Sequence, residues 1–410
     1  MLKIGKPYIE SNSSCAKLCA DLCVDGHTQT IWFSVTLEYA QFLTAERADP
    51  FIVALLYYAM RNGHDIKLEA AVTERLLYQI RESIVKALHK AEPAFREIRI
   101  SCQTAPPLTS CGAVATGISC GVDSISTICR HLPGKTLPAY TLTHLTFFNA
   151  GAAYYDNGEK VLGPDGLPIE QHRLENARCF AKDVGLPLIE VDSNISEFLK
   201  LDFALTHTYR NCAAALVLQR LISVYYYASS GFPTMHMAIS PHNSAGHYDD
   251  FTLPNLSTGA ITFYSSMHTF SRLQKTMQIA DEVLAHRYLN VCFRVGKNCG
   301  RCPKCIRTLT TLDALGRLDA FDKVFDIADY RLHRAKRIAY VLANRSDPYC
   351  DEIYHLLRKE KKIPYRAYLY VPKEKIANAK KRLMRFLAHK LPVSSKQLLL
   401  RIACRQNTDS

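Results

Sequence analysis

The stretch from Ala113 to Cys129 constrains this chain more than any other. An apolar run, Ala113-Val114-Ala115 and then Gly117-Ile118, gives way to Ser119-Cys120-Gly121-Val122-Asp123-Ser124, and Ile125-Ser126-Thr127-Ile128-Cys129 follows. That order predicts a strand, a tight loop of small and hydroxyl residues, and the first turn of a helix. Such a junction can aim consecutive backbone N–H groups at an anion, with the positive end of the helix dipole behind them. Ser119 and Ser124 add hydroxyls, and Asp123 can position a metal ion or a reacting group. An ordinary strand-to-helix turn is the other reading of the same residues.

From about Leu108 the pattern alternates between strands and helices. Ala139–Phe148 reads as a strand, Gln171–Val184 as a helix stopped by Gly185, and Leu188–Val191 as the next strand. Ala213–Ala228 reads as a buried helix, because Gln219 and Arg220 interrupt it too soon for a membrane span. Met235–Ile239 reads as a further strand, followed by a polar loop with His242, His247, Asp249 and Asp250. Strands separated by helices imply βαβ units and a parallel sheet, with ligands at the carboxyl ends of the strands.

Residues 1–107 predict a separate α+β domain. It has a strand over Gln29–Thr36, helices over Pro50–Arg61 and about Ala70–His89, and a strand over Arg96–Cys102. Ala105-Pro106-Pro107 marks its boundary. Cys15, Cys19 and Cys23 recur at the i, i+4, i+8 spacing of a helix, which reads as a small apolar packing face. The middle domain spans 108–318, and 319–410 predicts a basic, mainly helical region punctuated by Pro364, Pro372 and Pro392.

The formal charge of +13 is concentrated in that last region. Residues 331–410 hold 20 Lys and Arg against 6 Asp and Glu, so the remainder of the chain is close to neutral. A tail of this kind can meet nucleic acid, anionic lipid or an acidic protein, or can be a solvated set of helices. No signal peptide is visible at the start, and fifteen cysteines without one point to reduced thiols, metal ligation and a cytoplasmic setting.

Cys299-Gly300-Arg301-Cys302-Pro303-Lys304-Cys305 places three thiols at three-residue intervals, with Cys292 seven residues upstream. Four thiolates close a tetrahedral zinc shell, and the complete shell makes the ion structural. Tandem Cys-x-x-Cys steps also suit an iron–sulfur cluster; the nearness of the fourth cysteine favours zinc.

The loop resembles the pyrophosphate-binding loop of the PP-loop ATP pyrophosphatases, and its conjunction with the cysteines resembles the 7-cyano-7-deazaguanine synthase (QueC) family. Tyr209-Arg210-Asn211 is similar to that family's Arg-Asn step, and Gln274-Lys275-Thr276 to its Lys-containing helix. The likeness covers about residues 112–316.

It implies an ATP-dependent, AMP-forming ligase. A substrate carboxylate, deazapurine or related, attacks the α-phosphate, and ammonia or another amine then displaces AMP; in the family a second activation dehydrates the amide to a nitrile. It also implies pyrophosphate and Mg2+ at Ser119, Cys120, Gly121, Val122, Asp123 and Ser124 and phosphate or carboxylate at Arg210 and Lys275, with Asp123, Arg210 and Lys275 as the catalytic set. Zn2+ would lie on Cys292, Cys299, Cys302 and Cys305. Cys120 stands where the family has glycine, adding a Cβ where the backbone approaches phosphate or takes positive φ. That departure motivates a second reading: a zinc-stabilised module without turnover that holds nucleic acid or an acidic protein through 331–410. A macromolecular acceptor for the ligase fits the added regions as well.

Overall fold

The computed structural model describes residues 1–389 apart from 156, 157, 164, 230–236, 240–243 and 293–297. They fall into two compact units, Met1–Asn298 and the residues from Cys299 onward. In the first unit the strands are β1 (Leu2–Ile4), β2 (Tyr8–Ser11), β3 (Cys15–Val24), β4 (His27–Thr36), β5 (Ile66–Leu68), β6 (Val72–Thr73) and β7 (Ile100–Ser101). They continue as β8 (Thr104–Ala105), β9 (Ala113–Gly117), β10 (His144–Asn149), β11 (Leu188–Ser193), β12 (Ile222–Ala228) and β13 (Thr262–Ser266).

The class is α/β, built on one large, mostly parallel sheet in the order β13-β12-β9-β10-β11-β4-β3-β1-β5-β7, with β2 added on β3. β13, β12, β9, β10 and β11 are mutually parallel. Chain order across these five reads 5-4-1-2-3, so the progression reverses beside β9. In open parallel sheets that reversal opens a crevice at the carboxyl ends of the strands.

The expected boundary at 107/108 lies inside this unit, and the sheet runs across it. β4 pairs antiparallel with β11 through Val35–Val191 and Ser34–Asp192. A single buried core contains Phe33 and Phe51 as well as Ile189 and Tyr225.

Several local expectations shift. The helix expected over Ala70–His89 begins only at Glu74, because Val72–Thr73 pairs with Thr104–Ala105. Buried Asp49 fixes that strand, accepting from the Thr73 N–H at 2.7 Å and its Oγ1 at 2.6 Å. The strand expected over Ala139–Phe148 starts at His144, since Pro138 opens a 3-10 turn over Pro138–Tyr140. The apolar run Ala213–Ala228 is not one helix. The helix Phe203–Leu216 stops, and the β-branched and aromatic Ile222–Tyr227 form β12.

Cys15, Cys19 and Cys23 lie on strand β3. Residues four apart share a strand face as well as a helix face, and here Ala16, Leu18, Ala20 and Leu22 take the core side. Of the strand expected at Met235–Ile239, residues 235 and 236 lie outside the described residues and Met237–Ile239 form no strand.

The second unit is helical: Pro303–Leu315, Ile327–Leu332, Arg334–Ala343, Pro348–Lys359 and Tyr365–His389. Its core holds Ile306, Ala314, Ile338, Val341, Cys350, Ile353, Leu357 and Ala367. Polar ties reinforce the packing: Asp313 accepts from Arg334 Nε at 2.7 Å and from the Tyr330 hydroxyl at 2.9 Å. Pro364 precedes the last helix, Pro372 lies within it, and Pro392 lies outside the described residues. Among the described residues no helix is long and apolar enough to cross a membrane.

Candidate functional site

The loop after β9 sits at the sheet's reversal point and feeds the helix Val122–His131, with Gly121 as N-cap. Its small residues let it close on itself. The Gly121 N–H donates to Ser119 Oγ at 3.3 Å, and Ser124 Oγ donates to the Gly121 carbonyl at 3.1 Å. Ser119 Oγ donates to Ser124 Oγ at 3.2 Å.

Cys120 adopts φ +56°. This left-handed conformation is the one that glycine takes freely and that costs an L-residue about 1 kcal/mol. Its side chain is only 1% exposed, and burial pushes the thiol up to about 12, so it stays protonated. The backbone therefore keeps a glycine-like path while the added Cβ and sulfur turn inward.

Asp123, in the first turn of the helix, meets two cations from the helix Arg272–Ile279. Arg272 Nη2 lies 2.7 Å from Asp123 Oδ2, and Lys275 Nζ lies 3.6 Å from Oδ1. Lys275 is fully buried and donates to the Ser229 carbonyl, just past β12, at 2.9 Å. Burial lowers its ammonium to about 8, partly offset by Asp123 and deepened by Arg272. Ser271 and Gln274 form a capping box that fixes this helix start. One carboxylate held by two cations leaves an excess positive charge beside the loop. Arg272 was not among the expected site residues; its signal was the i, i+3 spacing to Lys275, which puts both on one helix face.

The structure brings Asp123 and Lys275 together and places Arg210 in a different setting. Arg210 is buried and donates from Nη2 to the Leu201 carbonyl at 2.8 Å and from Nη1 to Ser196 Oγ at 3.1 Å. A longer contact, 3.4 Å, reaches the Ala150 carbonyl. These partners tie the turn after β10 to the segment after β11.

A second polar cluster surrounds the end of β12. His207 Nδ1 bonds the Tyr227 hydroxyl, and Asn211 Nδ2 donates to that oxygen at 3.3 Å. Thr208 donates to buried Asp249, whose carboxyl burial raises to about 7. Asp250 pairs with His268 at 2.8 Å, and His247 is half-buried, with its imidazole lowered by burial. His242 lies outside the described residues. His207 was not anticipated, because nothing in Leu205–Tyr209 distinguishes it from a surface histidine.

The sulfurs of Cys292, Cys299, Cys302 and Cys305 lie within 4.8 Å of one another. A tetrahedral Zn–S shell needs S···S separations of about 3.8 Å, and Cys299 and Cys305 already stand 3.9 Å apart. Gly300, at φ +66°, turns the chain between the first two of the closely spaced thiols. The Cys302 and Cys305 N–H groups donate to the sulfurs of Cys299 and Cys302 at 3.4 and 3.5 Å. Upstream, Asn298 holds the approach to Cys292 by accepting from the Val291 N–H at 2.8 Å and donating to the Leu289 carbonyl at 2.7 Å. The donor set fits a metal such as zinc.

No family model, curated protein or solved structure matches the chain. The class is set by fold and site: an α/β protein with a large, mostly parallel sheet and a four-cysteine group able to hold a metal.

Proposed function

We propose that this chain is an ATP-dependent, AMP-forming ligase of the QueC-like kind, with the loop 119–124 as its pyrophosphate site. The observation that carries the reading is Asp123, held between Arg272 and Lys275 beside a helix N-terminus at the sheet's reversal point. The triphosphate of ATP would meet the loop's N–H groups and the two cations, and Asp123 would turn to Mg2+ on the departing pyrophosphate. A substrate carboxylate oxygen attacks the α-phosphorus, the bond to the β-phosphate breaks, and an acyl adenylate forms. Ammonia or another amine then attacks the acyl carbon, and AMP leaves. Fixed donors and cations favour the charge that develops on the phosphates without reorganising during the step.

Cys120 is compatible with this reading, because its side chain is buried and not exposed on the loop. Arg210 acts in this reading as a positioning residue for the loops after β10 and β11. Zinc on the four cysteines would be structural, since a full thiolate shell has no open position.

The test is ATP–pyrophosphate exchange with a panel of carboxylates that includes 7-carboxy-7-deazaguanine. Exchange that needs a carboxylate and is lost in Asp123→Ala is the expected result. Exchange absent with every carboxylate, or unchanged in Asp123→Ala, overturns the reading.

A further inference from the structure

Among the described residues, the helix Tyr365–His389 docks on its own unit by one face. Ala367 is fully buried in the unit's core, and Asn378 Nδ2 donates to Asn344 Oδ1 at 3.0 Å. The opposite face is apolar and exposed: Tyr365, Tyr368, Leu369, Ile376 and Leu383 are between 53% and 78% accessible. Tyr365, Leu369, Pro372, Ile376, Ala379 and Leu383 follow one another at steps of four, three, four, three and four. At 100° per residue those positions form a continuous stripe along the helix. Lys373 and Lys380 border one side of it and Lys375 borders the other. Seven Lys and Arg against one Glu in the helix give it a net charge of +6.

We propose that this stripe is a membrane-surface contact that lies on anionic lipid without crossing the bilayer. An apolar stripe carrying Tyr365, Leu369, Ile376 and Leu383, flanked by lysines, matches the geometry of an interfacial helix. Its apolar face enters the headgroup boundary and its basic stems reach the lipid charge.

Charge and apolar surface together decide between these occupants. A second copy would set one +6 helix against another. A nucleic acid would use the lysines but give Leu369, Ile376 and Leu383 no apolar partner. Anionic lipid satisfies both the stripe and its flanks.

The 410-residue chain is sedimented with phosphatidylcholine vesicles, and with vesicles containing about one-third phosphatidylserine. Co-sedimentation with the anionic vesicles alone is expected. The Leu369→Gln/Ile376→Gln double variant is expected to lose on the order of tenfold in partitioning, and Lys373→Gln/Lys375→Gln/Lys380→Gln a comparable amount. All five positions are outside the unit's core, so unchanged far-UV circular dichroism and melting should accompany the losses. No binding to anionic vesicles overturns the proposal. So does binding that the Leu369/Ile376 variant retains, which would make the contact purely electrostatic, as for a nucleic acid. A dimer in sedimentation velocity that the same variant abolishes overturns it in favour of a second copy.

Discussion

The carbonyl of Cys120 accepts a 2.7 Å hydrogen bond from the backbone N–H of Asn290. Asn290 in turn accepts, through Oδ1, from the N–H of Cys292 at 3.2 Å. Two bonds therefore join the proposed pyrophosphate loop to the backbone of Cys292, the first residue of the four-cysteine group. Metal removal should be felt at the loop. A chelator, or Cys299→Ser, is expected to strip zinc and lower the melting temperature by on the order of 10 °C. It should also speed hydrogen exchange at the Asn290 amide. Zinc content by mass spectrometry and amide exchange are the readouts, and full zinc retention by Cys299→Ser would remove that residue from the ligand set.

Cys120 combines a left-handed backbone with a buried side chain, and the two pull in opposite directions on substitution. Cys120→Gly relieves the φ strain but loses the buried thiol and gains unfolded-state freedom. Its stability should stay within about 1 kcal/mol of the parent. Cys120→Val puts a β-branched side chain at positive φ in a packed site and should lose more than about 2 kcal/mol. Urea unfolding of the pair measures both. Equal losses in the two would mean that backbone strain is not what distinguishes them.

Gly151 lies against Arg210 and Ser196. Its φ is +124°, and a Cβ there would stand 2.3 Å from Arg210 Nη1 and 2.7 Å from Ser196 Oγ. Gly151→Ala should therefore destabilise by roughly 3 kcal/mol or more, because Arg210 must give up bonds that its burial requires. Arg210→Met leaves the Leu201 carbonyl and the Ser196 hydroxyl without their donor and should cost about 2–4 kcal/mol. If Arg210 positions loops, exchange should fall in parallel with melting temperature in both variants. Lost exchange in a fully stable Arg210→Met protein would instead place the guanidinium on the substrate.

Much of this arrangement is legible in the residues. The loop before Ile125, the helix ended by Gly185 and the four cysteines are local signals, because spacing along a helix, strand or turn carries them. What escapes is set by distant partners. Thr73 becomes strand because Asp49, 24 positions earlier, holds it. The Ala213–Ala228 run divides because β9 offers Ile222–Tyr226 a partner. The thiols at 15, 19 and 23 fit a strand face and a helix face equally, so spacing alone does not separate them. Arg272 becomes a site residue only when its helix lies against that of Asp123.

Lys275 supplies the pH dependence. Its folded ammonium titrates at about 8, below the ordinary 10.5, chiefly through burial. Below pH 8 the lysine is protonated both folded and unfolded, so the cost of burying the cation is fully present. Between about pH 8 and 10.5 the folded lysine loses its proton first and that cost fades. The stability of the parent relative to Lys275→Met should accordingly rise by on the order of 2–3 kcal/mol between about pH 8 and 10.5 and stay level below pH 8. Anion binding should move the other way: pyrophosphate affinity in the parent falls as pH rises through about 8, whereas Lys275→Met binds weakly at every pH. Calorimetric titration of pyrophosphate from pH 6.5 to 9.5, beside urea unfolding over the same range, reads both. A parent affinity that follows the Lys275→Met profile across that window would take the Lys275 ammonium out of the anion site.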